Sequence, residues 1–187
     1  PYLVPTREGA AALAALARQA VRITILTNSL EATDVALVHA GYAKRRRQLL
    51  EAGITIYELM RATPHRALGD RKLTGSSGSS LHAKTFAVDC TRVFVGSFNL
   101  DPRSGDINTE AGLYIESPEL AAQLIAYMDE GVLPQGSYRV LLDANGDLYW
   151  LTETDGKPER YDQDPKSTTW QRAKVRFIRM LPVMNQR

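Results

Sequence analysis

The apolar positions change period several times along the chain, and each change predicts an element. "PTREGAAALAALARQA" carries Leu13, Leu16, Ala17 and Ala20 at helical spacing behind Pro5 and Thr6, which predicts a helix over residues 7–20. "VRITILTN" alternates and is β-branched, so a strand follows over 21–27. A second helix is expected from Asp34 to Ala52, opened by Thr33 and Asp34 and closed by Gly53 in a left-handed conformation. "ITIYEL" is then a strand. Strand, helix and strand at these lengths predict an α/β fold, a mixed β-sheet with helices packed on its faces.

The stretch 61–80, "RATPHRALGDRKLTGSSGSS", has no period and predicts a flexible surface loop before the next strands. Strands are expected near 81–88, 91–98 and 109–116, followed by a helix from Ser117 and Pro118 to about Glu130. Over 137–187, "SYRVLLDANGDLYWLTE" predicts a hairpin turning at Asn145 and Gly146, and "STTWQRAKVRFIRML" a short amphipathic helix. The 187 residues suit one domain rather than two. "PYLVP" reads like the end of an apolar strand whose start is missing, so the chain is expected to be a piece of a longer protein.

Charge and composition narrow the partners. A net charge of +2 is too small to argue for a polyanionic partner, although Lys44–Arg47 and the last helix concentrate basic residues. The single cysteine, Cys90, excludes an internal disulfide. No apolar run is long enough to span a membrane, and no signal peptide is visible.

Chemistry gathers in "LHAKTFAVD". On a strand, His82 and Lys84 share a face, and Asp89 has the other parity. A histidine beside a fixed positive charge suits attack at, or proton transfer around, an anionic phosphate. In "GSFN", Ser97 and Asn99 share a parity and can donate to phosphate oxygens. Glu110 in "NTEAG" offers a carboxylate for the imidazole. His39, beside the stripe of Val35, Val38, Tyr42 and Leu49, reads as a satisfied histidine at the core edge. His65 reads as a surface residue. Arg46, in the stripe's register, is open to a ligand or to a buried ion pair. On the last helix Trp170, Ala173, Phe177 and Leu181 form a stripe among basic residues, and packing on the core is the more usual use of such a stripe than contact with anionic lipid.

The motif H-x-K-x4-D of His82, Lys84 and Asp89, followed by "VGSFNLDPRS" and "NTEAGLYIES", resembles the phospholipase D superfamily. The stretches "TNSLEATDVALVHAGYAKRRRQLLEAGITIYEL", "YRVLLDANGDLYW" and "RFIRMLPV" are similar to its bacterial cardiolipin synthase branch, so the resemblance runs nearly end to end. It implies a metal-independent, cofactor-free enzyme in which one histidine forms a phosphohistidine and another serves as general acid and then base. His82 looks like the histidine of a second motif, hence the acid and base. Lys84, Ser97 and Asn99 would bind phosphate, and Glu110 would orient the imidazole. Asp89 belongs to the catalytic motif, though its parity and the family analogy favour a structural role. The implied substrate is an anionic glycerophospholipid, with peripheral membrane contact, in the bacterial cytoplasm or at its membrane. The implied partner is a second motif half in the same full-length chain. Two alternatives are a homodimeric single-motif phosphodiesterase or nuclease, and a non-catalytic domain of the same fold.

Overall fold

The computed structural model describes residues 3–33, 35–61 and 81–180. The expected loop beyond Arg61, with His65, and the positions of Asp34 and Leu181 lie outside the described residues.

Helix α1 spans Arg7–Arg18, with the Thr6 hydroxyl accepting from Gly9 N–H. It ends two residues before the expected limit because Ala20 turns left-handed (φ 65°), and Val21 N–H closes back onto the Leu16 carbonyl at 3.2 Å. Helix α2, Ala36–Glu51, ends the same way, with Gly53 at φ 88° and Ile54 N–H on the Leu49 carbonyl at 3.1 Å. Alanine serves the first closure at a steric cost that glycine avoids in the second. At its other end α2 starts at Ala36, with Val35 as the extended residue before it and no side-chain cap.

Strands β1 (Thr24–Asn28) and β2 (Thr55–Leu59) pair in parallel around α2, the βαβ unit that the periodicity predicts. The free edge of β2 takes β6 (Ser137–Leu142) in antiparallel fashion, and β7 (Leu148–Thr154) and β8 (Lys157–Tyr161) continue outward. The mixed sheet therefore runs β1-β2-β6-β7-β8. The hairpin at Gly146 lies where expected, with Asp143 Oδ1 accepting from Asn145 and Asp147 N–H at 2.8 Å each. The sequence reading does not include β8. Its signal is Asp155–Gly156, both at positive φ, a two-residue pair that suits a tight hairpin.

Strands β3 (Thr85–Val88), β4 (Arg92–Gly96) and β5 (Gly112–Glu116) form a second, three-stranded antiparallel sheet. Strands that the sequence suggests would extend one sheet are thus divided between two, because β6 occupies the β2 edge. A short helix α3, Pro102–Asp106, is opened by Asp101, whose carboxylate accepts from Ser104 N–H at 2.8 Å. Helix α4, Pro118–Gly131, is capped by Ser117 as expected and packs on β3 and β4. Helix α5, Thr169–Met180, packs on α2.

The main core lies between the large sheet and helices α1 and α2, around Ala10, Tyr42, Leu49, Ile56, Tyr138, Val140 and Trp150. Within it is a carboxylate. Glu58, fully buried, accepts from Tyr42 Oη and Arg46 Nη1 at 2.8 Å each and from Trp150 Nε1 at 2.9 Å. Arg46 also reaches Asp164 at 3.1 Å, and His39 lies 3.4 Å from the same oxygen. Arg46 is therefore a buried ion-pair residue, and His39 the satisfied core-edge histidine expected. Burial opposes the arginine's charge, but Glu58 and Asp164 outweigh it and raise its pKa.

Candidate active site

His82 and Lys84 sit in the residues just before β3 rather than within it. What positions them is a side chain from the other sheet. Asn28, at the carboxyl end of β1, donates from Nδ2 to the Leu81 carbonyl at 3.1 Å and accepts from Leu81 N–H at 2.8 Å. Both backbone polar groups of the residue before His82 are thereby satisfied, as a neighbouring strand would satisfy them. Asn28 is buried, which strengthens this clasp.

Beyond the clasp, Lys84 Nζ lies 3.0 Å from His82 Nε2 and donates to the His82 carbonyl at 3.2 Å. The ammonium lowers the imidazole pKa first of all, and partial burial adds to it. His82 is consequently neutral at pH 7 with Nε2 turned to the cation. Partial burial also lowers the Lys84 pKa, against the opposing charges of Glu110 and Asp101.

The adjoining strand end supplies the remaining polar groups. Ser97 Oγ donates to the Glu110 carboxylate and accepts from Ala111 N–H at 3.0 Å, and Asn108 Nδ2 reaches the other Glu110 oxygen at 3.4 Å. Hydrogen bonds, the one from Ser97 first and one from Ser104 next, hold Glu110 below the usual carboxylate range. Ser104, buried on α3, accepts from Asn99 N–H at 3.2 Å. It ties the "GSFN" turn to the carboxylate, a role the sequence reading does not give it. Asn99 Oδ1 is buried without a hydrogen-bond partner in the structure.

Two glycines shape this end of the sheet. Gly96 faces Gly112 across β4 and β5. A Cβ on Gly112 would come within 2.5 Å of the Phe94 ring, and one on Gly96 within 2.6 Å of the Ala111 carbonyl. The glycine of "GSFN" is thus needed for close approach, which brings Ser97 against Glu110.

The structure brings together His82 with Lys84, and Ser97 with Glu110. Asp89 lies elsewhere. It occupies the β3–β4 turn with Cys90, both at positive φ, where Thr91 N–H closes on the Val88 carbonyl at 3.1 Å. Its carboxylate pairs with Arg92 at 2.7 Å, on the surface. Of its two readings, the hairpin contact is the one with geometry behind it, and Asp89 is at the opposite end of β3 from His82.

An open groove of ≈ 700 Å³ runs from His82, Lys84 and Ser97 along β4 and α4, past Val95, Leu124 and Tyr127. It has polar groups at one end and an apolar wall along its length. The arrangement can hold an anionic phosphate at the polar end, with a neutral imidazole ready to exchange a proton. Among the described residues, no group of three or more histidine, cysteine or acidic side chains could hold a metal ion.

Comparisons with known proteins agree with these features. The family model for the cardiolipin synthase, phospholipase D-like domain matches residues 1–131. Cardiolipin synthase C of Escherichia coli K12 is 46% identical over 183 residues, 97% of this chain and 38% of its own length. Cardiolipin synthase A of Escherichia coli O1:K1 is 32% identical over 153 residues, which cover 81% of this chain and 26% of that protein. The chain thus spans well under half the length of these relatives. The crystal structure of the phospholipase D family member Nuc of Salmonella typhimurium superposes with a TM-score of 0.53 at 22% identity, covering 74% of this chain and 78% of that one. By residues, fold and family model together, the chain belongs to the cardiolipin synthase family of phospholipase D-like domains.

Proposed function

We propose that this chain forms one half of a two-histidine phosphatidyltransferase or phosphodiesterase that acts on anionic glycerophospholipids. The observation that carries the reading is the His82–Lys84 contact at 3.0 Å, held at the polar mouth of an apolar groove. A phosphodiester seated there places its charge on Lys84 and on donors from Ser97 and Asn99. Its negative charge offsets the ammonium, so His82 can take up a proton on binding.

A histidine from a second motif attacks phosphorus and forms a P–N bond. The bond from phosphorus to the departing alcohol oxygen breaks, and His82 passes its proton to that oxygen. In the return step His82 removes the proton of a second alcohol, or of water, whose oxygen attacks phosphorus as the P–N bond breaks. Glu110, held ionised by Ser97 and Ser104, keeps a negative charge near Lys84 and so offsets part of the ammonium's charge.

The need for a second half has support of its own. Phe86 and Phe94 stack at 5.0 Å between centroids, and Tyr114 pairs with Phe94 across the sheet. Phe86 and Tyr114 remain exposed, an aromatic face of the kind that another domain or a second copy covers. The test uses an assembly that contains both motifs. There, His82→Ala is expected to lower turnover by about 10²–10⁴-fold, the usual contribution of a general acid, without moving Tm. Robust turnover by a strictly monomeric protein with one motif, abolished by the same substitution, overturns the two-histidine reading. A dimeric mass by light scattering, with turnover from this motif alone, would instead support a homodimeric phosphodiesterase.

A further inference from the structure

Helix α5 is amphipathic in the sequence, and packing on the core is the ordinary use of its apolar stripe. The structure gives that use to other residues. Val175 and Ile178 pack against Leu30, Ala36 and Ala40. Trp170, Phe177 and Met180 point away, at 78%, 66% and 79% exposure. Trp170 and Phe177 are two turns apart on one face, and Lys174 falls between them at the edge of the same stripe.

The charge around this face is one-sided. Helix α5 contains Arg172, Lys174, Arg176 and Arg179 and no acidic residue. Lys174, Arg176 and Arg179 form no ion pair with a described residue. Neighbouring helices add to the excess. Lys44 has its pKa lowered by burial and then by Arg45, Arg7 and Arg179, so these cations from α1, α2 and α5 share one surface. Asp164 and Asp147 are engaged by Arg46 and Arg47 respectively.

We propose that the outer face of α5 docks on an anionic lipid bilayer, with Trp170 and Phe177 entering the headgroup boundary and Lys174 and Arg176, on either flank of that stripe, meeting the lipid charge. Tryptophan and phenylalanine beside basic residues with long apolar stems are the composition of helices that lie in that interface. The site goes beyond the phosphodiester chemistry at His82 and rests on that reading only for the choice of lipid as probe. The two are measured separately.

The experiment is vesicle flotation with phosphatidylcholine vesicles, with and without phosphatidylglycerol, together with tryptophan emission. Binding is expected only to the anionic vesicles and to weaken with salt. A blue shift should come from Trp170, since Trp150 is buried in the core. Trp170→Ser with Phe177→Ser should weaken binding by more than about tenfold, judged from the apolar surface removed. Lys174→Ser and Arg176→Ser should each cost about fivefold, the worth of one basic residue at an anionic surface. These positions are exposed, so the variants should melt with the parent. His82→Ala should bind vesicles unchanged.

Equal binding by the Trp170/Phe177 variant, or equal binding to neutral vesicles, overturns the proposal. So does wild-type protein that fails to bind, or loss of binding in His82→Ala. Trp170 shielded from a soluble quencher in the absence of lipid also overturns it, since the face is then covered by protein.

Discussion

The two sheets handle polar groups in opposite ways. Against the five-stranded sheet one cluster of charged groups is buried and bonded. Glu58 receives three donors from two elements, and Arg46 lies 4.6 Å above the Trp150 ring. Beside the strand ends of the three-stranded sheet His82, Ser97 and Glu110 lie at the surface, while Val93 is that sheet's only strand residue among the buried apolar side chains of the core. The first arrangement ties α2, β2, β7 and the segment before α5 into one body. The second keeps its polar groups at the surface, where a ligand can reach them. It depends for attachment on a few links, among them the Asn28 clasp, the α4 packing and the Leu3–Leu100 bridge. A carboxylate in the first sheet therefore stabilises, and a carboxylate in the second keeps a site charged.

Substitutions on the two sides should separate stability from activity. Glu58→Ala is expected to have the largest effect, since it leaves Arg46 buried beside vacated space. A loss of about 3–5 kcal/mol in denaturant unfolding is the usual cost of breaking such a pair. An unchanged midpoint would mean that the network carries no stability. Lys84→Met should cost about 10²–10³-fold in turnover of the two-motif assembly, in the range of one lost charge-stabilising donor. It should leave Tm nearly unmoved. The sign of its effect on His82 is fixed. With the ammonium gone, the protonated imidazole is less disfavoured, so the pKa rises from its lowered value toward the ordinary one. An NMR titration that shows no rise would refute the coupling.

Asn28→Ala tests the link between the regions. Leu81 loses both partners, and about 1–3 kcal/mol is expected for the unsatisfied groups. Because the loss is local, hydrogen exchange at Leu81 and the residues of β3 should quicken more than exchange in β1 or β2. Uniform quickening would show that the two sheets unfold as one unit. Asp89→Ala should have the smallest effect, under about 1 kcal/mol for an exposed pair, with turnover retained. A loss of turnover as large as that of Lys84→Met would return Asp89 to the chemistry.

Much of this was legible in the sequence because it depends on local backbone preference. The α1 and α2 helices, the left-handed Gly53, the Ser117 cap and the Asn145–Gly146 turn follow from side chains acting on their own or adjacent backbone. The spacing of His82, Lys84, Ser97 and Glu110 exposed the candidate site for the same reason. Asp155–Gly156 carried an equally local signal, and β8 could have been read from it.

Other features depend on contacts between residues far apart in the chain, and these only the tertiary structure decided. Asn28 meets Leu81 across 53 positions, and Glu58 meets Trp150 across 92. Nothing in the local pattern of either partner names the other. The division into two sheets was settled when β6 took the edge of β2, a competition between strands of similar character. The same holds for α5. Its composition determined that one face is apolar and another basic, but the fit of Val175 and Ile178 onto α2 decided which apolar side chains were buried and left Trp170 and Phe177 outside.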